Sequence, residues 1–94
     1  SLSYAYPNPS YGEDIIIRLH VGLYENIEID IYDFAGFKKT SLSPISKEIL
    51  FESYSVIEIP WDIQSVESGI YFASIKISSS TKIEKKIIKM SIIK

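Results

Sequence analysis

The chain holds one histidine, His20, and no cysteine. A Ser-His-Asp triad would have to be built on His20. His20 stands between Leu19 and Val21, in a run that alternates apolar and polar residues. That reads as the face of a strand. Nucleophile-elbow, zinc-protease, phosphate-loop and dinucleotide-binding patterns are all missing. The lack of cysteine also removes thiol nucleophiles and cysteine-based zinc sites. Asp30, Asp33, Asp62 and Glu67 sit in or beside predicted turns, but no loop clusters its acids at the spacing calcium requires. They read as turn residues that bond to backbone. A glycosidase pair needs a deeper cleft than so short a chain encloses. The expectation is a chain with no catalytic residues, no metal and no cofactor.

The aromatic side chains offer a second kind of chemistry, stacking on sugar rings. Tyr4, Tyr6, Tyr11, Tyr24, Tyr32, Tyr54 and Trp61 are the candidates. No regular spacing sets three of them on one exposed strand face, so packing within a sheet is the simpler reading. Tyr71 stands at the start of an apolar strand, after Gly69-Ile70, where a buried ring would bond its hydroxyl to nearby backbone.

Charge gives the third lead. The net charge is only −2, yet Lys76, Lys82, Lys85, Lys86, Lys89 and Lys94 crowd the last part of the chain against Glu84 alone. Lysines along a terminal strand protect a sheet edge from pairing with other chains. They also offer a basic segment for a partner to read, and both readings hold together. Nucleic acid is not an expected partner, because the chain is acidic overall.

The elements that must position these residues are strands. Hydrophobic residues make up 46% of the 94 residues, and isoleucine, a β-branched residue, dominates them. Alanine occurs only at positions 5, 35 and 73. Tyr4-Ala5-Tyr6-Pro7-Asn8-Pro9 reads as a short opening strand and a rigid turn. Asp14–Val21 alternates Ile15, Ile17, Leu19 and Val21 against Ile16, Arg18 and His20. Ile27, Ile29 and Ile31 alternate with Glu28, Asp30 and Tyr32. Asp33-Phe34-Ala35-Gly36 is a turn with Gly36 at a positive φ, and Phe37–Ser41 returns as a strand. Ser43-Pro44 marks a loop, and Ile49–Phe51 reads as a short strand, with a helix over 46–51 as the alternative. Val56–Trp61, Gly69–Ile77 and Lys82–Ile93 complete the set. Without the optional segment at Ile49–Phe51 these are seven short strands, and with their regular turn signals they predict an all-β fold, a seven-stranded antiparallel sandwich in one domain over residues 1–94. No apolar run is long enough to span a bilayer. No signal peptide is visible, and Ser1 reads as the start of a fragment.

Four landmarks stand in order: Tyr6-Pro7-Asn8-Pro9, Ile29-Asp30-Ile31-Tyr32-Asp33-Phe34-Ala35-Gly36, Ser68-Gly69-Ile70-Tyr71-Phe72 and Lys85-Lys86-Ile87-Ile88-Lys89. Together they resemble the type A C-terminal sorting domain of type IX secretion, found on exported proteins of Bacteroidetes. The resemblance implies an immunoglobulin-like sandwich that directs a parent cargo domain through the outer membrane after export to the periplasm. It implies secretion machinery proteins as partners and a secreted or surface location. Gly69 and Tyr71 match the family's glycine and tyrosine. Lys85, Lys86, Ile87, Ile88, Lys89 and Met90 match the terminal strand offered to the machinery. Ser10 departs from the pattern, which commonly has an aromatic there. Pro60-Trp61-Asp62 is similar to the immunoglobulin-like domain of flagellar hook-capping proteins. An accessory spacer or carbohydrate-binding module beside a secreted hydrolase is the alternative function; glycan binding abolished by Trp61→Ala would support it.

Overall fold

The computed structural model describes residues 2–42 and 47–94. Among them are eight strands and no helix: β1 Tyr4–Tyr6, β2 Ile15–Val21, β3 Asn26–Asp33, β4 Lys38–Leu42, β5 Lys47–Leu50, β6 Ser55–Trp61, β7 Gly69–Ser78 and β8 Ile83–Ile92. They form two four-stranded sheets, ordered β1-β2-β6-β5 and β4-β3-β7-β8, and each strand pairs antiparallel with its neighbour. This is the strand order of an immunoglobulin-like sandwich.

The alternation read from the sequence decides which faces meet. Ile15, Ile17, Leu19 and Val21 of β2 are buried against Tyr71, Ala73, Ile75 and Ile77 of β7 and Ile29 and Ile31 of β3. Polar residues on the same strands turn outward. Each buried isoleucine contributes roughly 1.5–3 kcal/mol over an exposed one. Between β3 and β4 the chain turns at Asp33–Gly36. Gly36 takes φ +92°, a conformation that side chains disfavour. The Gly36 and Phe37 amides donate to the Asp33 carbonyl (3.0 Å) and Asp33 Oδ1 (2.9 Å), and the Asp33 amide donates to the Phe37 carbonyl (2.9 Å).

The structure corrects two expectations. There are eight strands, not seven. The additional one, β5, covers Lys47–Leu50 rather than Ile49–Phe51, and residues 47–50 are extended, not helical. Every β5 residue is exposed, so no alternation marks it; it is held by its ladder with β6. The Ser43-Pro44 loop lies outside the described residues. Trp61 packs inside the sandwich, as the sheet-packing reading of the aromatics expects, and presents no face to a sugar. It is only 2% exposed and meets the Tyr71 ring edge-on, with centroids 5.5 Å apart.

Candidate functional site: the edge of the terminal strand

β8 pairs with β7 along its whole length, from Ser78↔Ile83 to Gly69↔Ile92, and among the described residues no strand lies on its other side. It is therefore an edge of its sheet. In an antiparallel ladder, successive residues point their backbone groups alternately toward and away from the neighbour. The Ser91 and Ile93 amides and the Lys89 and Ser91 carbonyls bond to the N-terminal segment rather than to β7. The β7–β8 register has no shift, so Ile83, Lys85 and Ile87 also direct their N–H and C=O outward.

The sealed half of this edge is built by the Pro-Asn-Pro turn. β1 lies at the edge of the opposite sheet, and the chain leaves it to cross to β8. Pro7 and Pro9 have no N–H to offer; both peptide bonds before them are cis. The Asn8 side chain supplies what a strand residue would. Its Nδ2 donates to the Lys89 carbonyl (2.9 Å), and its Oδ1 accepts from the Ser91 amide (3.0 Å). Ser10 then makes a parallel bridge: its amide donates to the Ser91 carbonyl (2.8 Å), and its carbonyl accepts from the Ile93 amide (2.7 Å). Ser10 is fully buried, and its hydroxyl donates to the Glu13 carbonyl. The backbone amides of Glu13 itself and of Tyr11 hold the Glu13 carboxyl below its usual range. Among the described residues, no such partner reaches the outward backbone groups of Ile83, Lys85 and Ile87.

Side chains divide along the same alternation. Met90 and Ile92 are buried in the core, and Ile88 packs against it. The Lys86 side chain is 15% exposed, with Nζ 3.4 Å from Ser3 Oγ and 3.9 Å from Glu84. On the outer face, Ile83 is 61% and Ile87 73% exposed, and Lys85 and Lys89 are exposed beside them. Of the six expected partner-facing residues, the outer surface thus presents Lys85, Ile87 and Lys89. Lys86, Ile88 and Met90 turn toward the sandwich, and Met90 is a core residue. Adjacent isoleucines at 87–88 and 92–93 hid this phase in the sequence. Asn8 and Ser10 were not recognised as edge-sealing groups, because a contact between the two ends of the chain leaves no local pattern.

Two further landmarks brace the frame. The Tyr71 hydroxyl donates to the Glu67 carbonyl (2.8 Å), a tyrosine corner at the start of β7, and burial raises its pKa. Gly69 faces Ile92 across the β7–β8 ladder. The Tyr6 hydroxyl donates to Glu58 Oε2 (2.6 Å), which also pairs with Arg18 (2.8 Å). The Tyr6 hydrogen bond, reinforced by Arg18, holds the Glu58 carboxyl below its usual range. His20 is half-buried and stacks on Tyr54, centroids 5.4 Å apart. Among the described residues, no three histidine or acidic groups gather as a metal site, and no helix is long and apolar enough to cross a membrane.

A family model for the secretion system C-terminal sorting domain matches residues 4–90. The chain belongs to this family. The match runs from the start of β1 to Met90, so it includes both the Pro-Asn-Pro turn and most of β8. No curated protein matches the chain. The sorting domain is a C-terminal signal for type IX secretion. Membership implies attachment to a cargo, interaction with secretion machinery, and export to the cell surface or the medium.

Proposed function

We propose that residues 1–94 act as one non-catalytic sorting unit, whose cargo passes through the periplasm, and that the machinery reads the outer side of β8. Lys85, Ile87 and Lys89 are the side chains offered, together with the outward backbone groups of residues 83–87. Strand addition to an exposed edge supplies affinity through main-chain hydrogen bonds and specificity through alternate side chains. The observation that carries this reading is the half-open edge: the N-terminal turn occupies β8 from Lys89 onward, while among the described residues no backbone partner reaches the outward groups of Ile83, Lys85 and Ile87.

The test is a reporter fused ahead of the chain in a cell with a type IX system. Removal of Lys85–Lys94 is expected to hold the reporter in the periplasm. That truncation also takes Met90 and Ile92 from the core, so Ile87→Pro is the companion variant. It deletes one outward N–H and leaves the β7–β8 ladder intact. Periplasmic retention of a folded Ile87→Pro fusion supports the reading. Undiminished secretion of both variants overturns it.

A further inference from the structure

Building on that reading, we infer that the open half of β8 accepts an extended peptide segment whose outer face alternates acidic and apolar side chains. The outward face of β8 reads Ile83, Lys85, Ile87, Lys89: apolar, basic, apolar, basic, all exposed. Neither Lys85 nor Lys89 has an acidic partner among the described residues, whereas Lys38, Lys76 and Lys86 each have one. An added strand sets its own alternate side chains beside these four, where opposite charges and apolar pairs stabilise and like charges destabilise. An acid therefore fits beside Lys85 and Lys89, and an aliphatic residue beside Ile87.

The same rule argues against a second copy of this chain as the occupant. Two β8 edges paired antiparallel about Ile87 would set Lys85 opposite Lys89 twice. A parallel in-register pair would set each lysine beside its own copy. The length of the segment is bounded as well. Asn8 fills the Lys89 carbonyl and the Ser91 amide, so a docked strand ends at Lys89.

The experiment uses the 94-residue chain and three short synthetic peptides: Thr-Glu-Thr-Ile-Thr-Glu-Thr, the same peptide with lysine for glutamate, and the glutamate peptide N-methylated along one backbone edge. Amide chemical shifts are followed by NMR. The glutamate peptide is expected to move the amides of Ile83, Lys85 and Ile87, and the lysine and N-methylated peptides to leave them in place. In the double variant Lys85→Glu with Lys89→Glu, the preference between the charged peptides is expected to reverse. The change should be about tenfold, the scale of two exposed ion pairs acting together. Equal responses to both charged peptides, shifts confined to the β1–β2 face, or an unreversed preference would each overturn the inference. Secretion of the double variant separates this inference from sorting itself. If the Ile87→Pro fusion is retained while the charge-reversed fusion is secreted at the wild-type rate, the edge is read but not by an acidic segment.

Discussion

Tyr71 shows how one hydroxyl organises a strand entrance. Its bond to the Glu67 carbonyl spans the turn before β7, while its ring fills the core beside Trp61. Tyr71→Phe keeps the ring and removes the bond. A loss of about 1 kcal/mol is expected, read in urea unfolding, with a fall in Tm of roughly 4–8 °C for a chain of this size. Asn8 is a second single-residue device. Asn8→Ala removes both edge-sealing bonds, at an expected cost of about 1–2 kcal/mol, and the Ser91 amide should lose its protection from hydrogen exchange. Asn8→Asp should keep that amide protected, because the acceptor survives, while a carboxylate now faces the Lys89 carbonyl. Glu58 carries a pH dependence. Its folded pKa lies below the ordinary 4.5, so the folded chain binds fewer protons than the unfolded chain at acidic pH. The stability it contributes is complete above about 4.5 and is lost as pH falls through the folded value. Glu58→Gln should flatten that part of the acid-unfolding curve, measured as urea midpoint against pH.

At the scale of elements, β8 works because its alternate residues do different things. Ile88 belongs to the set whose amide serves the ladder with β7, and Ile87 to the set whose amide faces out. Ile88→Pro should therefore cost about 2 kcal/mol or more, and Ile87→Pro about 1 kcal/mol or less, in the same unfolding assay. A reversed order would mean that the strand phase is wrong. The inward faces of β2, β3 and β7 were legible in the sequence, since their isoleucines alternate cleanly with polar residues. The phase of β8 was not, because Ile87-Ile88 and Ile92-Ile93 place apolar groups on both faces. β5 was poorly legible for the opposite reason: all four of its residues are exposed, and its pairing with β6 alone makes it a strand.

Across the whole molecule, the two ends of the chain meet. The segment after β1 crosses from one sheet to close the edge of the other, so the turn that opens the chain fixes how much of the last strand stays open. The Pro-Asn-Pro turn and the lysine-rich end were each visible as local patterns. Their contact was not, because nothing in a linear pattern pairs residue 8 with residues 89 and 91. On the proposed reading, the lysines that protect the open stretch from self-pairing are also the ones a partner would read, so edge protection and recognition would reside in the same residues.

Photo-crosslinking during secretion tests most directly which edge the machinery reads. A photoreactive residue is placed at Lys85 or Ile87 on the open edge of β8, and at Glu48 or Leu50 on β5, on the opposite flank of the sandwich. Crosslinks to a component of the secretion machinery are expected from positions 85 and 87 and not from 48 and 50. Crosslinks from the β5 positions with none from β8 would contradict recognition through the terminal strand.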